Sequence, residues 1–202
     1  LLHYPALWRA SLRGRVPLHV AVTAGPGGVT MIAGPGGVGK STLLSAGLTQ
    51  GETATADNLC ACDARCAYGV VEPLRLVGGR RRLRAPATHG RSEFVLPGRV
   101  PSLEPDRLVV LRRAAGPRAS AGSLSSAAAA RELVAGTYMA GELRRFWSFA
   151  GTLSLATGTG PAHPDVSGIA ASLADRLPCL EVRMALGSPA PIGELLSLAG
   201  AR

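Results

Sequence analysis

Gly34-Pro35-Gly36-Gly37-Val38-Gly39-Lys40-Ser41-Thr42 is the stretch from which the rest of this sequence is read. It fits G-x₄-G-K-[ST], and each residue type in that pattern has a physical task. The glycines admit positive φ and let backbone N–H groups turn inward with no Cβ in the way. Inward N–H groups make a nest for an anion, and a helix starting at Lys40 adds the positive end of its dipole. Lys40 reaches the β- and γ-phosphates, and the Ser41 hydroxyl reaches Mg²⁺. The expected cofactors are ATP and Mg²⁺. The expected binding residues are Gly34, Pro35, Gly36, Gly37, Val38, Gly39, Lys40, Ser41 and Thr42. The flanks agree: residues 29–33 read as a short buried strand, and residues 41–48 as a helix stopping near Gly51. Strand, Gly-rich loop and helix is the context such a loop requires.

Lys40 is the one lysine in a chain of 22 basic and 13 acidic residues. Arginine is written everywhere else. At position 40 the chemistry needs a compact ammonium on a flexible stem, which a planar guanidinium does not replace. The net charge of +9 otherwise reads as the composition of an Arg-, Ala-, Gly- and Pro-rich chain. The run Arg80-Arg81-Arg82-Leu83-Arg84 lacks neighbouring aromatics for base stacking, so a solvated loop is expected there rather than a nucleic-acid surface.

The chain has 202 residues, 47% hydrophobic and 4% aromatic, so one domain with a core of Leu, Val and Ala is expected. Within it, residues 16–115 read as the nucleotide-binding core and residues 127–202 as a helical part with a closing strand. No apolar run has the length of a membrane span. Residues 1–15 lack the ordered regions of a signal peptide, although the chain begins with Leu rather than Met, and a cytoplasmic location is expected. Cys60, Cys62 and Cys66 form C-x-C-x₃-C, which matches no common zinc spacing; they read as small core residues, Cys60 and Cys62 sharing one strand face.

Along the chain, residues 16–23 read as one strand, Gly25 to Gly28 as a turn, and residues 59–62 and 66–71 as a hairpin around Asp63-Ala64-Arg65. Residues 78–105 look least structured, 108–111 are a buried strand, and 116–126 a linker. Residues 127–155 turn helical until Gly158-Thr159-Gly160-Pro161 breaks the pattern. Residues 166–176 form a helix, 179–186 a final strand and 192–198 a last helical turn. The helical segment carries Tyr138, Glu142, Arg144, Arg145 and Trp147, and His163-Pro164-Asp165 follows in a loop. This region reads as an amphipathic helix and a Pro/Gly loop, with a substrate-facing lid as the alternative.

Arg112 and Arg113 follow the strand at 108–111, where many nucleotide-binding folds place an acid. L-S-G-G-Q is absent, and N-K-x-D cannot occur with the lysine already used. Asp57 is the better candidate: it follows one helix and one short strand after Lys40, a path that returns to the loop. An acid there holds Mg²⁺ or takes the proton of an attacking hydroxyl.

With these residues in view, the sequence resembles the catalytic domain of HPr kinase/phosphorylase and its smaller serine-kinase-like relatives. The resemblance rests on Leu18-His19-Val20-Ala21-Val22, the strand and loop through Thr42, Gly51, Ala56-Asp57-Asn58, and Tyr68 to Leu76. It covers residues 16–76, and loosely Leu177 to Val182. It implies an α/β fold and ATP-dependent phosphorylation of a hydroxyl on a protein, peptide or small molecule. In that reading Asp57 is the catalytic acid/base, Lys40 binds phosphate, His19 lies near the transferred group, and Ser41, Asp57 and Asn58 face the metal. Asn58 stands where the family carries a second aspartate; its amide oxygen ligates Mg²⁺ without charge. The family's downstream acidic motif has no clear counterpart, and Glu72 is the acid available for that role. The competing reading is a non-kinase ATPase or nucleotide-binding regulatory module, with a nucleic-acid-associated ATPase behind it. A homo-oligomer stays open.

Overall fold

The structure, a computed structural model, describes residues 3–77, 91–116, 118–185 and 192–200. The Arg80–Arg84 run lies outside the described residues. Helix α1 (His3–Ser11) leads into strands β1 (Val16–Leu18), β2 (Ala21–Gly25) and β3 (Gly28–Ala33). Helix α2 (Lys40–Thr49) follows, then β4 (Thr53–Ala56), β5 (Cys60–Cys62), β6 (Ala67–Gly69), β7 (Leu74–Val77), β8 (Arg91–Phe94), β9 (Ser102–Leu103), β10 (Arg107–Arg113) and β11 (Ser120–Ser123). The chain continues as α3 (Ser126–Met139), a 3₁₀ turn (Gly141–Leu143), α4 (Phe146–Thr157), α5 (Val166–Arg176), β12 (Cys179–Met184) and α6 (Ile192–Gly200). The architecture is mixed α/β, a sheet core with helices following it in the C-terminal half. Among the described residues no helix is long and apolar enough to cross a membrane.

The main sheet has the order β11-β12-β10-β3-β2-β4. Its centre is parallel: Leu108 pairs with Met31 on one side and Cys179 on the other. Parallel strands are covered on both faces, so they read as unbroken apolar runs whose alternate residues go opposite ways. Met31, Leu108 and Val110 face α3 and α5, where Ala129, Leu133, Ala170 and Leu173 are buried. Ile32, Val109 and Leu111 face Leu43 of α2 and Ile192 and Leu195 of α6. Each such buried Leu or Ile contributes about 1.5–3 kcal/mol.

A second, antiparallel sheet has the order β1-β5-β6-β9. Cys60 and Cys62 point into the same core as α3 and α5, whereas Ala61 between them joins Leu7, Leu143 and Phe146 of the α1–α4 side. All four cysteines are free thiols. The β5–β6 hairpin turns where expected, Asp63 Oδ1 accepting from the amides of Arg65 (2.9 Å) and Cys66 (2.7 Å).

Four sequence-based expectations differ from this fold. The single strand over 16–23 is two strands in two sheets, broken at His19-Val20. The linker over 116–126 contains β11, which pairs with β12 through backbone groups that Ser, Ala and Gly supply as well as larger residues do. The unstructured stretch contains β8 and β9. The long helical segment is two helices, separated where Ala140 turns extended (φ −65°, ψ 119°). The last strand, moreover, closes no edge: β12 lies between β10 and β11, so both halves of the chain share one sheet.

Candidate functional site

Strand β3 ends at Ala33 among buried residues, and the chain must leave the sheet without colliding with β10 beside it. Gly34 has φ 144°, and a Cβ there would meet the Leu111 carbonyl oxygen at 2.9 Å. The loop then enters α2 through Gly39 at φ 120°. Helix α3 is capped by Ser125, whose hydroxyl accepts from the Ala128 amide, and α5 by Asp165, which accepts from the Gly168 amide. Helix α2 has no side-chain cap and no acid in its first turn. Its first N–H groups are therefore available to an anion. Lys40 is buried and folded over the loop, Nζ donating to the carbonyls of Gly34 (2.8 Å) and Pro35 (3.3 Å).

A cavity of about 340 Å³ opens above this loop. Gly36, Gly37, Gly39, Lys40, Ser41 and Thr42 form its floor, and His19, Asn58, Arg75 and Arg113 part of its walls. The segment from Met139 to Glu142, the break between α3 and α4, makes the far side; Met139 is 80% exposed. The structure thus brings His19, Lys40, Ser41 and Asn58 together at one opening.

Asp57 is not on that lining but stands beside Ser41. It is 3% exposed, accepts from the Arg75 amide at 3.3 Å, and its Oδ1 has no hydrogen-bond partner. Burial pushes its carboxyl above the usual range, and the Ser41 hydroxyl, the Arg75 amide and Lys40 draw it partly back. An unpartnered carboxylate oxygen beside a serine hydroxyl suits a hard cation, since Mg²⁺ takes one or two protein oxygens and completes its shell with phosphate and water. No cluster of three or more His, Cys, Asp and Glu occurs among the described residues, which such a site does not need.

His19 sits at the crossover between the two sheets. Its amide donates to Thr137 Oγ1 (3.1 Å), Nδ1 faces the Gly136 carbonyl (3.2 Å), and Nε2 lies 2.8 Å from the Asn58 amide oxygen. A carbonyl only accepts, so Nδ1 carries a proton. Burial first, and Lys40 next, hold the ring below its ordinary pKa. A neutral ring leaves Nε2 an acceptor. The Asn58 amide then turns its NH₂ to Nε2, which also gives a partner to the otherwise unpaired Nδ2.

Glu72 lies outside the loop cavity. It is 5% exposed, its Oε2 has no partner, and burial pushes it up to about 7. His163 stacks on Trp147 (5.2 Å between centroids) and Tyr138 (5.7 Å) and is not on the cavity wall. Arg75 and Arg113 are wall residues to which the sequence assigns no role, whereas Glu142 in the 139–142 wall belongs to the segment for which a substrate-facing lid is the alternative. Arg113 donates to the Gly37 carbonyl (2.8 Å), and Arg112 pairs with Glu132 and Glu181. The visible signal for Arg113 is the arginine pair that ends β10, at the position where an acid is expected.

No protein-family model matches the sequence, and no curated protein does. Among solved structures, the chain is similar to the Hpr(Ser) kinase/phosphatase from Coxiella burnetii, at 16% identity and a TM-score of 0.35. The match takes in 48% of this chain and 65% of that one. So loose a likeness carries no argument about chemistry, and the functional reading rests on the residues of the cavity.

Proposed function

We propose that the chain is an ATP-dependent phosphotransferase of the HPr-serine-kinase-like kind, with residues 34–42 as its P-loop. The observation that carries this reading is the placement of Asp57. It is a buried carboxylate with an unpartnered oxygen, next to Ser41 in the first turn of a helix that follows a Gly-rich loop and has no side-chain N-cap. The uncapped amides of α2 and the Lys40 ammonium hold the β- and γ-phosphates. Ser41 and Asp57 would hold Mg²⁺, which would supply charge neutralisation on those phosphates. The acceptor oxygen attacks phosphorus, the bond to the β–γ bridging oxygen breaks, and its electron pair leaves with ADP. The acceptor's proton passes to a carboxylate oxygen of Asp57. His19, neutral and held by Asn58 and Gly136, points a fixed ring at the transferred group.

Lys40→Ala is expected to lose nucleotide binding, and wild-type affinity in that variant overturns the loop assignment. Asp57→Asn is expected to retain binding and lose transfer. Asn58 favours a second reading, a slow ATPase or nucleotide-dependent module, because its amide serves His19 and leaves the site one carboxylate short. Labelled ATP separates the two: label on an acceptor supports the kinase, and release only as free phosphate supports the module.

A further inference from the structure

A second cavity, of about 320 Å³, adjoins the loop cavity and shares Arg75 and Glu142 with it. Its other walls are His3, Tyr4, Leu59, Glu72 and Arg145. Its charges are unevenly matched. Arg75 lies 3.5 Å from both Glu93 and Glu142, so those three form one group. Among the described residues the one ion pair of Glu72 is with His3, Nδ1 lying 3.4 Å from Oε1, and Oε2 has no hydrogen-bond partner. Among the described residues no ion pair includes the exposed Arg145. A buried carboxylate oxygen without a partner is costly, and the broad terminal torsion of Glu lets either oxygen turn toward the cavity. The walls therefore offer a carboxyl oxygen with no hydrogen-bond partner and a guanidinium outside the described ion pairs, in a space for a small molecule, beside the expected γ-phosphate.

We propose that this cavity is the acceptor subsite and that it takes a free hydroxy-amino acid. Glu72 receives the ammonium, Arg145 receives the carboxylate, and the side-chain hydroxyl reaches through the Arg75–Glu142 mouth toward Asp57. The use made of the bound hydroxyl rests on the phosphotransfer reading. There the P–O bond to ADP breaks, the new P–O bond forms on that hydroxyl, and the proton goes to Asp57. Occupation of the subsite does not require nucleotide.

The test is calorimetric titration of L-serine, L-threonine and L-homoserine into the full chain, with nucleotide binding measured separately. At least one of the three is expected to bind. Glu72→Gln and, independently, the exposed-site variant Arg145→Ala should each weaken that binding tenfold or more, as should N-acetylation of the ligand. Lys40→Ala should leave it unchanged while losing nucleotide. Absence of binding by all three amino acids, in protein that still binds nucleotide, overturns the subsite and leaves the phosphotransfer reading standing. Binding indifferent to Glu72→Gln and to N-acetylation overturns it too. So does transfer of label to an amine-blocked serine peptide but not to the free amino acids.

Discussion

His19 Nε2 meets the side-chain amide of Asn58 at 2.8 Å, across the crossover where the chain passes from one sheet to the other. An amide can face a neutral imidazole with its NH₂, and the buried ring, close to Lys40, is kept neutral. A carboxylate can only accept. Asn58→Asp is therefore expected to move the His19 pKa upward, past its present depressed value. NMR titration of the ring nitrogens reads this directly, and an unmoved pKa means the contact does not set the ring's state. The wild-type linkage has a definite sign. The unfolded chain binds a proton on His19 before the folded one does, so stability falls as pH drops below the ordinary histidine range.

Glu72 gives the opposite slope. Its folded pKa of about 7 stands above the ordinary glutamate value of 4.5, so between the two the folded chain holds a proton that the unfolded chain has released. Stability contributed by the protonated group is fully present below pH 4.5 and is lost as pH rises through 7. At about 1.4 kcal/mol per pH unit, the shift corresponds to about 3 kcal/mol. Glu72→Gln should match wild type in thermal unfolding at pH 4 and exceed it at pH 8. Equal melting temperatures at both values would refute the burial argument.

Gly39 enters α2 at φ 120°, a conformation almost confined to glycine, and a Cβ there would also meet Met184 Cε at 3.2 Å. Gly39→Ala should cost about 1–3 kcal/mol of stability. It should also weaken nucleotide binding, because the first turn of α2 must shift. Denaturant unfolding and nucleotide affinity measured together check both effects.

The cysteine spacing reads as core filling, and the thiols should react accordingly. Cys60 and Cys62 are fully buried, and burial pushes the Cys62 thiol well above its ordinary pKa. Cys66 is the partly exposed one at the hairpin. A thiol reagent applied to folded protein should modify Cys66 first, with Cys60 and Cys62 labelled only on unfolding. Mass mapping of the labelled peptides decides it.

What was legible in the sequence follows from how local its cause is. The Gly-rich loop, the helix after it and α5 announce themselves through neighbouring residues: Gly at positive φ, Asp165 as a cap and an apolar face of regular spacing. The break at His19 does not, because residues 16–23 read as one mostly apolar run rich in valine. It arises from Thr137, 118 positions away, accepting the His19 amide. Strand β11 was hidden for a related reason, its pairing being supplied by β12 rather than by its own side chains. Of the site, Lys40, Ser41, Asp57, Asn58 and His19 were named from spacing and resemblance. Arg75 and the wall at 139–142 reach the cavity only through tertiary packing.

The position of β12 between β10 and β11 also dictates an order of assembly. During synthesis β10 emerges with one parallel neighbour, β3, and β11 emerges with none. Neither edge can be satisfied until residues 179–184 have left the ribosome and threaded between them. Pairings between strands so distant along the chain are slow to form. The main sheet is therefore complete, with β10 and β11 both paired, only when the C-terminal strand is in place between them.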